Sequence, residues 1–102
     1  MKFDAVIFLI NEVDGQDDLG NSKPVKTRRK AYANRFSVSR AEFASAGEQG
    51  LKPEFAFQVN TLDYNDEREA EYLGQSLDIY RVQTNGDRTT LYLTRRVSNG
   101  RN

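Results

Sequence analysis

Alternation of apolar and polar residues dominates the chain and predicts a mainly β protein. Between Pro53 and Asn60 the apolar side chains fall at every second position, at Phe55, Phe57 and Val59, which is the period of a half-buried strand. Similar patterns predict five further strands, near residues 5–10, 25–37, 67–73, 77–84 and 87–97. We therefore expect a small antiparallel β-barrel or sandwich of about six strands.

Two of these strands have patterns that place them in the fold. Residues 5–10, AVIFLI, form a continuous apolar run, which is typical of a central strand covered on both faces. In the next strand Tyr32 and Phe36 share one parity, and we predict that this parity faces the core. The first half of that strand is expected to extend past the core, because the same parity there holds Lys26, Arg28 and Lys30.

One short helix is predicted near residues 40–47. Ser39 can cap its N-terminus and Glu42 stands three residues later, so the two form a capping box in which each side chain satisfies a backbone N–H. Val38 and Phe43 occupy the flanking hydrophobic staple positions. Pro53 cannot continue a helix, which limits this one to about two or three turns.

Turn residues predict the connections. Asn85 and Gly86 are the strongest hairpin signal in the chain, and a two-residue loop centred on them places Thr84 opposite Asp87. The polar stretch at residues 11–24 is instead expected to be a long loop.

Length and composition limit the protein to one domain over residues 1–102, with residues 98–102 as a flexible tail. Equal numbers of basic and acidic residues, 15 of each, give no overall attraction to nucleic acid or to anionic membranes. No cysteine is present, and the apolar run near the N-terminus is too short to span a membrane. We expect a soluble intracellular product.

The charges are segregated along the chain. From Lys23 to Arg40 there are seven basic residues and no acidic one, whereas Asp63 to Glu71 holds five acidic residues and one arginine. One hypothesis is that the basic segment of one subunit lies against the acidic strand of the next and closes a ring. The other is that the two segments meet within one subunit. The residues predicted for such an interface are Arg28, Arg29, Lys30, Arg35, Glu67, Glu69 and Glu71.

Candidate catalytic and metal-binding residues are few. A chain with neither histidine nor cysteine lacks the commonest general bases and nucleophiles. The carboxylates at residues 12–18 lack the spacing of an EF-hand loop, and the glycines match neither a phosphate-binding nor a dinucleotide-binding pattern. We expect no cofactor, no metal and no enzymatic activity. The alternative function is a small nucleic-acid-binding barrel that uses the basic run at residues 23–30.

Several short motifs resemble one family in their order and spacing. They are Val38, Arg40, Glu42 and Phe43, then residues 50–54, Phe55 and Phe57, Asp63 and Tyr64, and finally residues 80–82. Over residues 25–97 this pattern is similar to the head-tail joining proteins of tailed phages and prophages.

This resemblance implies a structural virion protein, assembled in the cytoplasm of a bacterial host and located at the head-tail interface. It implies a head-closure or adaptor subunit that docks below the portal as a homo-oligomeric ring, retains packaged DNA and presents a surface for the tail. In related proteins a mobile loop enters the axial channel, and residues 11–24 and 40–53 are the candidates here. Residues expected to face a partner protein, the channel or the packaged DNA are Lys23, Lys26, Arg40, Glu42, Phe43 and Lys52.

Overall fold

Six antiparallel strands close into a barrel with one short helix on its outside. The computed structural model describes residues 3–16 and 18–95. The elements in chain order are β1 (Ala5–Gln16), β2 (Ser22–Phe36), α1 (Arg40–Gly47), β3 (Pro53–Asn60), a 3₁₀ turn (Thr61–Asp63), β4 (Glu69–Tyr72), β5 (Gln75–Asn85) and β6 (Arg88–Arg95). Around the barrel the order is β1-β2-β3-β6-β5-β4. This architecture confirms the predicted mainly β fold, and the expected tail at residues 98–102 lies outside the described residues.

Side chains fill the interior of the barrel. Phe57, Ile7 and Leu9 are fully buried, and they pack with alternate inward residues around the barrel: Ala31, Ala33, Val59, Ala70, Leu77, Ile79, Leu91 and Leu93. Phe55 and Tyr72 close against Phe57, with Tyr72 meeting both phenylalanine rings edge-on. Interior positions of small barrels are normally filled in this way, which leaves no central channel through a single subunit.

The helix forms as predicted. Its bounds are Arg40–Gly47, and the Glu42 N–H donates a hydrogen bond of 3.1 Å to the Ser39 hydroxyl. The second half of the expected capping box differs, because the Glu42 carboxylate turns toward the barrel and accepts hydrogen bonds from Tyr80 and Arg81. The helix is therefore capped at its N-terminus and also anchored to β5.

The turn of the β5–β6 hairpin lies one residue later than predicted, so the predicted pairing is wrong by two residues. The turn residues are Gly86 and Asp87, so Asn85 lies opposite Arg88 and Thr84 opposite Thr89. Gly86 has a φ of 65°, which matches a turn that needs positive φ only at its first central position. A register shift between Ile79 and Arg81 then keeps Ile79 inward, opposite Leu93.

The stretch expected to be a loop at residues 11–24 is largely strand. β1 and β2 pair without interruption from Ala5 opposite Ala33 to Gln16 opposite Ser22. β4 covers β1 only from Phe8 to Ile10, so the part of the hairpin beyond Ile10 stands out from the barrel. We call residues 11–16 and 22–27 the ribbon, and its six residue pairs give it a length of about 20 Å. Polar composition misled the prediction because both faces of the ribbon meet solvent.

The predicted burial of β1 and β2 also needs correction. β1 is not covered on both faces, because Val6 on its outer side is 38% exposed. In β2 the inward residues are Ala31 and Ala33, whereas Tyr32 and Phe36 are exposed, so the prediction chose the wrong parity. The small alanines were the weaker hydrophobic signal, although they fit the crowded interior of the barrel better than aromatic rings.

Candidate functional site

A row of ion pairs crosses the outer face of β1 and joins β2 to β4. Lys26 lies 3.3 Å from the Glu69 carboxylate, and the Arg28 Nε donates a hydrogen bond of 2.9 Å to Glu71. The guanidinium of Arg28 also stacks over the ring of Phe8, 4.1 Å from its centroid. Phe8, on the outer side of β1, is therefore partly covered by a charged side chain from a neighbouring strand, which helps to explain a continuous apolar run on a strand with only one face in the core.

A third ion pair lies on the inner side of the sheet, where the barrel ends. Arg29 is paired in register with the buried Leu9, and its guanidinium donates a hydrogen bond of 2.7 Å to Glu67. The Glu67 side chain is only 3% exposed, and its other oxygen accepts the Asn65 N–H at 2.7 Å. Glu67 thus organises the turn before β4, and it is not part of an acidic strand face.

The segregated charges consequently meet within one subunit. The structure shows the second of the two arrangements considered above for Lys26, Arg28 and Arg29, each of which has an acidic neighbour in its own chain. The physical reason is topological, because β1 alone separates β2 from β4 around the barrel. A role for these residues between subunits stays a prediction.

The remaining predicted site residues are spread over the surface. Lys23 lies on the ribbon, and the Lys30 ammonium lies 5.4 Å from the ring of the exposed Tyr32. Arg35 lies near the far end of β2, where its backbone N–H donates to Asp4. Arg40, Phe43 and Lys52 are exposed on or after the helix, with Phe43 46% exposed. The structure does not bring these six into one site.

Glu42 is buried between the helix and the outer face of β5. The Tyr80 hydroxyl donates to it at 2.8 Å and the Arg81 Nε at 3.2 Å, and the carboxylate side chain is 9% exposed. Burial, then the hydrogen bond to Glu42 and its negative charge, raise the pKa of Tyr80 well above its ordinary value. Glu42 therefore binds the helix to the barrel and is not available as a channel-facing side chain.

Few groups in the described part of the chain offer reactive chemistry. No cluster of three or more metal-ligating side chains occurs among residues 3–16 and 18–95. Burial raises the pKa of Asp78, and the positive charge of Lys26 partly opposes the change. Burial also raises the pKa of Tyr64, whose hydroxyl donates to the Glu67 carbonyl at 2.7 Å. Each shift arises from the packing of a strand or turn.

The feature that sequence reasoning missed is the ribbon. Most of its described residues are exposed, and Val13 and Val25, which face each other in register, are 42% and 44% exposed. The valine pair inside a polar stretch is the one signal that indicated strands at this position.

Comparisons with known proteins do not assign the chain to a family, because no protein-family model and no curated protein matches its sequence. No helix within the described ranges is long and apolar enough to cross a membrane.

Proposed function

We propose that this protein is a structural subunit of a phage head-tail connector, which closes the head after DNA packaging and provides the surface to which the tail attaches. The observation that carries the proposal is the ribbon, an exposed two-stranded arm on a barrel whose interior is full. An arm of this kind has no use in binding a small molecule inside the barrel, whereas it suits contacts with neighbouring polypeptides. The motif resemblance between residues 25 and 97 supplies the class of assembly.

The surface charge is consistent with a subunit that lies near DNA but does not bind it tightly. The basic segment is partly neutralised by Glu67, Glu69 and Glu71, and the net charge of the whole chain is zero. Binding to duplex DNA through phosphate contacts requires unpaired cations, because each neutralised phosphate releases counterions. A dedicated nucleic-acid-binding barrel is therefore the weaker proposal, although it makes a clear prediction: the isolated subunit would bind oligonucleotides in a strongly salt-dependent manner.

Deletion of the gene in the phage or prophage that encodes it tests the proposal. We expect full-size heads that lose their DNA and carry no tails, and we expect complementation by the intact gene to restore tailed particles. A complementing copy in which residues 11–27 are replaced by a two-residue turn, which joins the paired residues Ile10 and Arg28, serves as the sharper variant. Its matched control is a copy truncated after residue 97, which leaves the ribbon intact. Tailed, DNA-filled particles in the absence of the gene would exclude the proposed function.

A further inference from the structure

Both long edges of the ribbon are open. β2 pairs with β3 only from Asn34 to Phe36, and no strand among the described residues covers the same edge from Ser22 to Ala33. The opposite edge, formed by β1 from Asn11 to Gln16, lies beyond the end of β4. Exposed strand edges present unpaired N–H and C=O groups, which another strand can bind.

The direction of the backbone groups can be assigned. The Ala33 carbonyl accepts the Asp4 N–H and therefore points toward β1. Since backbone direction alternates along a strand and the pairing with β1 is unbroken, odd-numbered residues of β2 point toward β1 and even-numbered ones toward the open edge. Pro24, which has no N–H, falls on the even-numbered set, so it costs the ribbon no internal hydrogen bond. Lys26 and Arg28 present complete backbone groups there.

The two edges differ in charge. The β2 edge carries basic side chains and no acidic one between Lys23 and Arg35, whereas the β1 edge carries Glu12 and no basic residue. Two β2 edges brought together would place like charges opposite each other, which is destabilising. A β1 edge against a β2 edge places Glu12 near lysine and arginine. The ribbon therefore disfavours pairing between identical edges and favours pairing between different ones.

The ribbon also has an apolar pair with nothing packed over it in the described chain. Val13 and Val25 lie on the side that continues the inner face of the barrel, and both are more than two-fifths exposed. A Cβ on Gly15 would lie 2.8 Å from the Val25 Cγ2, so glycine is needed for Val25 to fold over the strand. Two-stranded ribbons are marginally stable alone, and a neighbouring ribbon would extend this valine pair into a continuous stripe.

We propose that the ribbon is a self-association element: the open β1 edge of one copy of this chain adds antiparallel to the open β2 edge of the next. The contact is heterologous, so repetition leads to a ring if the rotation closes. The inference rests on the proposed function only in taking a ring as the final assembly. The edge pairing itself is a property of the chain.

Cysteine cross-linking tests the edge pairing directly, because the natural chain contains no cysteine. Glu12→Cys protein is mixed in turn with Ser22→Cys, Lys26→Cys and Arg28→Cys proteins. The three positions on β2 sample different alignments of one ribbon along the other. Under mild oxidation we expect a mixed disulfide with one of the three in severalfold excess over either homodimer, since paired strands bring Cα atoms within disulfide range. Ser45 is exposed on the helix, so Ser45→Cys protein serves as the control that measures disulfides formed by random collision. Mixed disulfides no more abundant than this control at the highest soluble concentration would overturn the proposal.

A matched pair of substitutions separates backbone pairing from charge. Lys26→Pro removes an N–H from the open edge, whereas Lys26→Ala keeps the N–H, and both lose the ion pair with Glu69. We expect sedimentation analysis to show weaker self-association for Lys26→Pro than for the parent protein. Lys26→Ala should associate almost as strongly as the parent. Equal association of both variants would refute the edge-pairing mechanism. If the ribbons cross-link but the gene is dispensable for tailed particles, the inference holds and the proposed function fails.

Discussion

Replacing Glu42 by alanine should loosen the helix from the barrel. The carboxylate accepts hydrogen bonds from Tyr80 at 2.8 Å and Arg81 at 3.2 Å, and it is 9% exposed. Truncation leaves the hydroxyl of the partly buried Tyr80 without its acceptor. The N-terminal cap remains, because Ser39 bonds the backbone N–H of residue 42 and not its side chain.

The expected loss of stability comes mainly from the tyrosine. A hydrogen bond to a charged group contributes about 1.5 to 3 kcal/mol, whereas an ion pair with a side chain as exposed as Arg81 adds less than about 1 kcal/mol. We therefore expect Glu42→Ala to lower the free energy of unfolding by about 2 to 3 kcal/mol. For a domain of this size that corresponds to a fall in Tm of roughly 10 to 20 °C.

Urea unfolding followed by circular dichroism measures this loss. Glu42→Gln, which keeps a neutral acceptor for Tyr80, should lose about half as much, and Glu48→Ala at the exposed end of the same helix should stay within about 0.5 kcal/mol of the parent. The double variant with Tyr80→Phe should lose less than the sum of the single changes, because the two groups share one hydrogen bond. Additive losses, or a Glu42→Ala protein as stable as the parent, would refute the proposed anchor.

Three further predictions concern separate parts of the barrel. Glu67→Gln should destabilise the protein more than Glu71→Gln in urea unfolding, because Glu67 is 3% exposed and Glu71 is 27% exposed; equal losses would contradict this reasoning. Leu73→Asn should raise the free energy of unfolding by about 1 kcal/mol, since Leu73 has a φ of 51° and is 85% exposed; a less stable variant would argue against backbone strain. Because the pKa of Tyr80 is raised in the folded state, its contribution to stability is complete below pH 10.0 and is lost at higher pH. Unfolding measured across that range should show a steeper fall for the parent than for Tyr80→Phe, and parallel curves would exclude the effect.

Local signals determined much of this fold. The alternation in β3 and the cap at Ser39 act over a few residues, and each places an element within a residue or two of its observed bounds. Gly86 likewise marked a hairpin, since the asparagine-glycine pair favours a two-residue turn with positive φ. These features are independent of what packs around them.

Tertiary structure decided which residues face inward and which charges meet. Alanines at 31 and 33 are buried because the closed barrel leaves little room, a constraint that periodicity along one strand cannot express. Arg28 reaches Glu71 because β1 alone lies between their strands, although 43 positions separate them along the chain. The ribbon also depends on tertiary structure, because β1 and β2 stay paired past the core through backbone hydrogen bonds. This pairing does not require apolar side chains and therefore leaves little signal in the sequence.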